Sequence, residues 1–320
     1  MIRIVAPSRL HFGMFSFGDA RRRQFGGVGA MISSPTLEMT VSDADRLEII
    51  GPLAERVEEY VRRWGRYHGM TSISRRLAVV TAPPQHVGLG SGTQLALAVG
   101  AALNASFGLP PMSAVELTQC MGRGQRSAVG TYGFFFGGLL IEEGKFAGEK
   151  LAPLRERIPL PEDWRFVLVR PQSGQGLSGE AERMAFRDLP PVRESVTRRL
   201  WEIVEKELAP AARRGDCEAF GEAVYQFGRE AGMCFAARQG GPFASERLAR
   251  WVAALRQMGA LGVGQSSWGP TLFAVTPCQH AAEMLVERFV EWVGEESLRW
   301  GIAAPNNTGA RCEIHHASAT

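Results

Sequence analysis

The stretch PPQHVGLGSGTQLALAVGAAL, residues 83–103, decides what kind of protein this sequence encodes. Its glycine-rich loop, GLGSG (88–92), runs directly into a helix that is apolar on nearly all sides. Glycines permit positive φ angles and the close approach of a ligand oxygen, and the N–H groups at a helix start attract anions. The stretch therefore predicts a phosphate site without the lysine of an ATP-binding P-loop. A glycine pattern alone is equally typical of a plain tight turn.

The composition is that of a folded globular protein. The 320 residues are 45% hydrophobic and 22% charged, which is enough for two domains with separate cores. No run of about 18 apolar residues occurs, and the start, MIRIVAPSRL, alternates like a strand rather than a secretion leader. The net charge of +3 is too small to indicate a nucleic-acid partner. We therefore expect a cytoplasmic protein with neither a membrane nor a nucleic-acid partner.

The cysteines indicate neither a disulfide framework nor a zinc site. They are odd in number, widely spaced and without a CxxC pair: Cys120, Cys217, Cys234, Cys278 and Cys312. Near the C-terminus, His315 and His316 follow Cys312 and Glu313, a set that can suggest metal binding. A solvated tail is the simpler interpretation of that segment.

Strand-like and helical patterns alternate along the chain and predict the α+β class. Residues 53–69 repeat apolar positions every three or four residues, as an amphipathic helix does, whereas 165–170 form a short apolar strand. The proline-rich segment 153–163 predicts a linker between an N-terminal domain, 1–155, and a C-terminal domain, 156–320. We expect helices on one face of a mainly antiparallel sheet.

Three motifs resemble those of the GHMP kinase superfamily, whose members phosphorylate small alcohols. PSRLHFGM (7–14) resembles the first motif, the glycine loop the second, and GVGQSSWGPTLFAV (262–275) the third. The resemblance spans nearly the whole chain. It implies an N-terminal ribosomal-protein-S5-domain-2-like α/β domain, a C-terminal ferredoxin-like α+β sandwich and a ligand cleft between them.

Two departures from the kinase pattern concern the chemistry. Kinases of this superfamily usually have a second serine in the loop that helps to hold magnesium, and Gly92 stands there in this chain. They also have an aspartate that deprotonates the acceptor, and Gly130 stands at that position. Without this carboxylate, phosphoryl transfer loses its usual base.

With these departures the chain resembles one branch of the superfamily, the β-ribofuranosylaminobenzene 5′-phosphate synthase family. The stretches that carry the resemblance are GLGSGTQLALAVG (88–100), GRG (122–124), SSWGPTLFA (266–274) and NNTGA (306–310). The resemblance implies transfer from phosphoribosyl pyrophosphate to 4-aminobenzoate or 4-hydroxybenzoate, with loss of CO₂ and pyrophosphate, in tetrahydromethanopterin biosynthesis. It also implies Mg²⁺ and a homodimer. The alternatives are an ATP-dependent GHMP kinase and a non-catalytic protein that binds a phosphorylated metabolite.

The resemblance implies a set of site residues. Arg9, His11 and Arg123 are the candidate catalytic residues, because a leaving pyrophosphate needs cations and hydrogen-bond donors. The candidate phosphate-binding residues are Ser8, Gly88, Gly90, Ser91, Gly92, Thr93 and Gln94. Further candidate substrate contacts are Ser266, Ser267, Asn306 and Asn307.

Each of these residues also has an interpretation without function. Arg9 can be a surface arginine, His11 a core histidine, and the two asparagines can be turn formers. Arg126, which the resemblance does not support, is expected on the surface. The sequence gives no magnesium ligands.

Overall fold

The first of two β-sheets is built around two long strands. The structure is a computed structural model that describes residues 1–177 and 179–315. The first sheet has the order β11-β1-β2-β4-β3, and β5 pairs with β2 and with β6. Its strands are β1 (Ile2–Ser16), β2 (Phe25–Asp43), β3 (Glu48–Ile50), β4 (Arg75–Thr81), β5 (Leu139–Glu142), β6 (Leu154–Ile158) and β11 (Arg311–Ile314). Only β3 and β4 pair in parallel among these described strands.

The second sheet is a smaller antiparallel unit of the ferredoxin type. Its strands are β7 (Arg165–Pro171), β8 (Gly262–Gln265), β9 (Leu272–Thr276) and β10 (Leu298–Ala303), in the order β10-β7-β9-β8. Helices separate β7 from β8 and β9 from β10, so the chain runs strand, helices, two strands, helix, strand. The prediction of an α+β fold with a ferredoxin-like second part is confirmed.

Helices cover the two sheets. In the first part they are α1 (Ala54–His68), α2 (Ser91–Ser106), α3 (Ala114–Cys120) and α4 (Val129–Phe136). In the second part they are α5 (Gly179–Asp188), α6 (Glu194–Ile203), α7 (Ala209–Arg214), α8 (Cys217–Met233), α9 (Ala236–Gln239), α10 (Glu246–Gln257) and α11 (Gln279–Val293). A π-helical segment, Val204–Leu208, joins α6 to α7. None of the helices within 1–177 and 179–315 combines the length and the apolar character needed to cross a bilayer.

Helix α2 lies at the centre of the first part because its sequence is apolar all round. Eleven of its residues are buried, and the helix packs between α1 and the first sheet. Helix α1 is amphipathic, as its periodicity predicts, and turns Val57, Val61 and Trp64 toward α2. The short helix α3 begins with the capping box of Ser113 and Glu116.

The domain division at residue 155 stays a prediction. At two places, however, a strand belongs to a sheet that this division does not lead one to expect. The segment 153–163, expected to be a linker, contains β6, which pairs with β5 in the first sheet. The last described strand, β11, pairs with β1 rather than with the second sheet. In that strand Glu313 forms an ion pair with Arg3 at 2.8 Å. Within the described residues no three potential ligands come together as a metal site. His316 lies outside those residues.

A large apolar cluster joins the two sheets, and Phe12 of β1 lies at its centre. The ring is 2% exposed. Its centroid lies 5.0 Å from that of Phe273 on β9 and 6.4 Å from that of Phe220 on α8. This side chain therefore packs β1 against an element from each layer of the second part.

Replacing Phe12 by alanine should destabilise the protein by about 3–5 kcal/mol, because a fully buried aromatic ring is lost and a cavity remains. Phe12→Leu should cost less, since much of the volume is kept. Urea unfolding followed by circular dichroism measures both free energies. Met284→Ala, at an exposed position of α11, should stay within about 0.5 kcal/mol of the parent. A loss below 1 kcal/mol for Phe12→Ala contradicts this account of the junction.

Candidate active site

The glycine loop ends in an uncapped helix N-terminus. Gly90 is the N-cap of α2 with a φ of 72°, and no side chain caps the helix there. The N–H groups of a first helical turn have no acceptor within the helix. The N–H of Thr93 donates to the carbonyl oxygen of Gly90 at 3.0 Å, so the turn offers an anion the N–H groups of Ser91 and Gly92 together with the positive end of the helix dipole.

A serine from the second half of the chain holds the loop in place. The buried hydroxyl of Ser266 donates to the carbonyl oxygen of Gly88 at 2.6 Å and accepts the backbone N–H of His11 at 3.0 Å. The backbone N–H of Arg9 donates to the carbonyl oxygen of Leu89 at 3.0 Å. Gly88 has a φ of 91°, and a Cβ there would lie 2.3 Å from the carbonyl oxygen of Ser266. Strand β1, the loop and the connection from β8 to β9 therefore meet at one point, and glycine is required there.

Three arginines from different elements surround the first turn of α2. Arg9 of β1 donates to the carbonyl oxygen of Gly88 at 3.4 Å. Arg123, which follows α3, donates to the hydroxyl of Thr93 at 3.0 Å. Arg56 of α1 reaches the turn from the side of α1. Within 1–177 and 179–315 none of the three forms an ion pair with a carboxylate, so the turn is surrounded by positive charge that the protein does not neutralise.

Burial disfavours the charged forms of Arg9 and Arg123. It lowers the pKa of Arg9 to about 10, and the nearby charge of Arg123 acts in the same direction. Burial also lowers the pKa of Arg123, and neighbouring arginines, Arg56 among them, contribute. The Nε atoms of Arg9 and Arg123 and the Oε1 atom of Gln94 are buried and have no hydrogen-bond partner among the residues that the structure describes. A bound anion would satisfy the two guanidiniums and offset the repulsion between them.

One carboxylate, Glu182 of α5, lies near the arginines. It forms an ion pair with Arg126 and accepts a hydrogen bond from the indole N–H of Trp268 at 3.1 Å. Its charge raises the pKa of Arg9, against the larger effect of burial. The expectation that Arg126 is a surface residue is wrong, since its side chain is partly buried in this ion pair.

His11 is buried and belongs to a second polar network. Burial lowers the pKa of His11 well below its usual range, and Arg9 adds to the effect, so the ring is neutral at pH 7. Its Nε2 atom lies 3.1 Å from the Oγ of Ser127. The next residue, Ala128, donates its N–H to the fully buried carboxylate of Glu142 at 2.9 Å. Burial raises the pKa of Glu142 to about 7, although hydrogen bonds from Ala128 and Ser127 favour the charged form.

An aromatic cavity opens beside His11. It has a volume of about 50 Å³ and is lined by Ser267 and by the side chains of Phe186, Phe235 and Trp268. The ring of Trp268 packs edge-on against the other two, at 5.6 Å from Phe186 and 4.9 Å from Phe235. This wall offers apolar faces to a flat ligand, and His11, two residues after Arg9 on β1, borders it.

Comparisons with known proteins agree with this geometry. Residues 52–138 match the family described as GHMP kinases N terminal domain, and 208–292 match GHMP kinases C terminal. The beta-ribofuranosylphenol 5′-phosphate synthase of Methanothermobacter thermautotrophicus is 30% identical over 295 residues, which cover 85% of this chain and 88% of that protein. The protein of the same name from Archaeoglobus fulgidus is 30% identical over 292 residues, with 86% and 88% covered. The chain belongs to the β-ribofuranosylphenol 5′-phosphate synthase family. The family assignment made from the sequence, under the name of the aminobenzene product, and the prediction of an enzyme are confirmed.

Solved structures of low identity support the fold of this synthase family member. A homoserine kinase from Cytophaga hutchinsonii superposes with a TM-score of 0.69 at 17% identity, covering 98% of this chain and 97% of that one. A mevalonate diphosphate decarboxylase from Staphylococcus aureus superposes with a TM-score of 0.67 at 15% identity, covering 98% and 99%. Likeness at this level of identity shows the shared GHMP architecture.

The structure brings most of the predicted residues to the loop, while their roles stay predictions. Those at the loop or in contact with it are Arg9, Gly88, Gly90, Ser91, Gly92, Thr93, Gln94, Arg123 and Ser266. His11 is linked to the loop through the hydroxyl of Ser266, and Ser267 donates its N–H to the carbonyl oxygen of His11. Ser91 contacts the carbonyl oxygen of Pro84 through its hydroxyl at 3.4 Å, and Gln94 donates to that of Gly130 at 2.8 Å.

Three predicted residues use their side chains elsewhere. The hydroxyl of Ser8 donates to the carbonyl oxygen of Pro35 at 2.6 Å. The side chain of Asn306 accepts the N–H of Gly309 at 2.8 Å, within its own turn. The amide of Asn307 both accepts from and donates to the backbone of Leu160, at 2.9 and 2.8 Å. These bonds are those of structural residues, and substrate contact by the three stays a prediction.

Sequence reasoning missed three groups that the fold brings to the site: Arg56, Glu142 and Glu182. The periodicity of α1 places its arginines together on the polar face of an amphipathic helix, and no motif distinguishes Arg56 from its neighbours. Glu142 ends an apolar strand, where an acidic residue usually marks a turn. The spacing of Arg56 and Tyr60, one helical turn apart before the glycine loop, was the one available signal.

The raised pKa of Glu142 predicts a specific pH dependence of stability. Between the ordinary pKa of 4.5 and about 7, the folded protein keeps a proton that the unfolded chain has released. Raising the pH through this range therefore weakens folding, at about 1.4 kcal/mol per pH unit and by at most about 3 kcal/mol in total. Glu142→Gln removes this contribution, so its stability should fall less than that of the parent between pH 4.5 and pH 7.5.

Urea unfolding at the two pH values measures the difference. Glu287→Gln, which removes an exposed carboxylate on α11, is the matched control. Equal changes in the parent and in Glu142→Gln would show that the carboxylate is already charged in the folded state.

Proposed function

We propose that this enzyme transfers the phosphoribosyl group of phosphoribosyl pyrophosphate to 4-hydroxybenzoate or 4-aminobenzoate, with release of CO₂ and pyrophosphate. The relatives are named for a ribofuranosylphenol phosphate, which favours the hydroxy acid as acceptor. The observation that carries the proposal is the turn at residues 91–93, surrounded by three arginines that lack carboxylate partners within 1–177 and 179–315.

The chemistry of the leaving group explains why such a turn is useful. As the bond from ribose C1 to the diphosphate oxygen breaks, negative charge grows on the diphosphate and C1 becomes positive. Cations and N–H donors fixed in a partly buried site stabilise this charge without reorganising. Arg9 and Arg123, already desolvated, are therefore worth more to the departing diphosphate than they would be in water.

The acceptor reaction balances without a general base. The ring carbon that bears the carboxylate forms the new bond to C1, and electron donation from the para hydroxyl or amino group assists it. The bond from that carbon to the carboxylate then breaks, CO₂ leaves, and the electron pair restores the aromatic ring. Because no proton leaves the carbon, Gly130 is adequate where a kinase has an aspartate. The carbonyl oxygen of Gly130 is instead bonded to the side chain of Gln94.

We propose that the aromatic wall of Phe186, Phe235 and Trp268 receives the acceptor ring. Flat apolar side chains bind a benzoate ring by stacking and edge contacts. His11 borders the same cavity as a neutral ring, so it can exchange one hydrogen bond with the acceptor without charge.

Magnesium is proposed as part of the donor. Within the described residues no three metal-ligating side chains come together. The nearby carboxylate, Glu182, is held in an ion pair with Arg126. Mg²⁺ commonly binds substrate phosphates and keeps several waters, with one or two protein carboxylates. Diphosphate oxygens can therefore bring the ion with them, and it would supply further positive charge to the leaving group.

We also propose, from the family resemblance, a cytoplasmic homodimer whose product enters tetrahydromethanopterin biosynthesis.

A single incubation separates this proposal from its alternatives. The purified protein is mixed with magnesium, phosphoribosyl pyrophosphate and each benzoate in turn. Equal amounts of CO₂ and pyrophosphate, formed only with an acceptor, support the synthase. ATP consumption with a small alcohol would instead identify a GHMP kinase. Binding of the donor without turnover would identify a protein that only binds a phosphorylated metabolite.

The two arginines should matter more for turnover than for binding. Arg9→Ala and Arg123→Ala each remove a charge-assisted contact to the leaving group, which typically costs about 2–4 kcal/mol of transition-state stabilisation, or about 30- to 1000-fold in rate. We expect kcat to fall far more than KM rises in steady-state assays of pyrophosphate release. Arg66→Ala, an exposed position late in α1, is the control. A rise in KM alone would assign both residues to substrate binding. His11→Asn keeps a hydrogen-bonding group but cannot donate a proton at neutral pH, so near-normal kcat in this variant would exclude proton transfer by His11.

A further inference from the structure

We propose that Arg56 and Gly92 act as a pair that makes the site specific for a diphosphate: the glycine leaves the space that the Arg56 guanidinium fills, and this guanidinium binds the leaving diphosphate. The inference rests on the proposed function only for the identity of the donor. The pairing itself rests on the geometry of α1 and α2.

The backbone does not explain why residue 92 is a glycine. Gly92 lies in the first turn of α2 and, unlike Gly88 and Gly90, it does not have a positive φ. Any residue could adopt this conformation, and glycine is among the least favourable residues inside a helix. The reason for glycine must therefore lie in what surrounds it.

The space beside Gly92 is filled by Arg56. A Cβ at position 92 would lie 2.7 Å from an Nη atom of Arg56, which is closer than real Cβ contacts. Even alanine would push the guanidinium away from the turn. The absence of a side chain at 92 and the position of Arg56 are consequently one feature.

Neutral groups hold Arg56 in this place. It donates to the side-chain oxygen of Gln85 at 2.6 Å and to the hydroxyl of Tyr60 at 3.2 Å. The Tyr60 hydroxyl in turn donates to the carbonyl oxygen of Gly92 at 3.3 Å. The guanidinium is thus oriented toward the turn while its charge stays available, because no carboxylate lies in ion-pair distance of it in the part of the chain described.

The neighbouring arginines of α1 provide a contrast. Arg62 forms an ion pair with Glu58 at 2.5 Å, and Arg63 forms one with Glu59 at 2.7 Å. Their charges are largely neutralised within the helix. Arg56 differs from them by facing the glycine loop with neutral partners, which is the arrangement of a ligand-binding cation.

The surrounding charge indicates a diphosphate rather than a single phosphate. Arg9, Arg56 and Arg123 contact three successive parts of the turn: Arg9 lies beside Gly90, Arg56 beside Gly92 and Arg123 at Thr93. Three separated cations match an anion that carries its charge over two phosphoryl groups. Arg56 and Arg123 are thus the cations beside Gly92 and Thr93, and Arg9 is the one beside Gly90, so the charge extends along the turn.

Calorimetric titration with inorganic pyrophosphate tests the pair without requiring turnover. Arg56→Gln removes the charge, and Gly92→Ser displaces it by adding a side chain. We expect each to weaken pyrophosphate binding about 10- to 100-fold. The affinity of the double variant for pyrophosphate should be no lower than that of the single variant with the lower affinity, because both changes remove the same contact. Arg56→Lys should recover part of the affinity through its charge.

Arg62→Gln is the matched control, since it removes an arginine from the same helix that faces away from the loop and pairs with Glu58. It should bind pyrophosphate as the parent does. Orthophosphate, titrated in parallel, should be affected less by Arg56→Gln than pyrophosphate is. Thermal unfolding of every variant checks that the fold is retained.

The outcomes are distinct. Unchanged pyrophosphate affinity in Arg56→Gln, losses that multiply in the double variant, or no pyrophosphate binding by the parent would each overturn the pairing. If the pattern holds but the parent releases no CO₂ with either benzoate, the diphosphate site stands and the proposed acceptor reaction fails.

Discussion

The hydroxyl of Ser266 joins three parts of the chain that are far apart in sequence. It bonds at once to the carbonyl oxygen of Gly88 in the loop and to the backbone N–H of His11 in β1, while it sits between two strands of the second sheet. The direction in which α2 presents its first turn depends on this contact, because the loop before the helix is fixed at its beginning by Ser266 and beside it by β1. The ligand site therefore exists only when both sheets are assembled.

Around that fixed turn the fold collects arginines and provides them with neutral partners. Main-chain carbonyls, hydroxyls and an amide orient Arg9, Arg56 and Arg123, so the direction of each guanidinium is set while its charge is retained. The free-energy cost of keeping these charges away from water appears as a lowered pKa at Arg9 and Arg123, which are the most deeply buried of the three. A multiply charged ligand is the complement that lowers this cost, which links the stability of the site to its occupancy.

Local sequence was sufficient for the features that depend on local rules. The glycine loop, the apolar helix after it and the amphipathic helix α1 follow from backbone freedom and hydrophobic periodicity within a few residues. Motif similarity extended this to the architecture and to most residues at the loop. It could not place Arg56, which reaches the loop through the packing of α1 on α2, nor reveal that Glu142 is buried and that Ser127 bonds to both Glu142 and His11. Arg126 was misjudged for the same reason, because its partner Glu182 is 56 residues away and on a different element.

The pairing of β11 with β1 affects how the chain folds during synthesis. Ile2 pairs with Ile314, so β1 receives this second neighbour only after β11 has been synthesised. Until then one side of β1 is an open edge with unsatisfied backbone groups, the kind of surface that recruits other strands. Such widely separated pairings also slow folding, since the loop must close before the contact forms. A chain interrupted during synthesis just before residue 311 would hold the complete glycine loop and its arginines, and yet have an unprotected sheet edge.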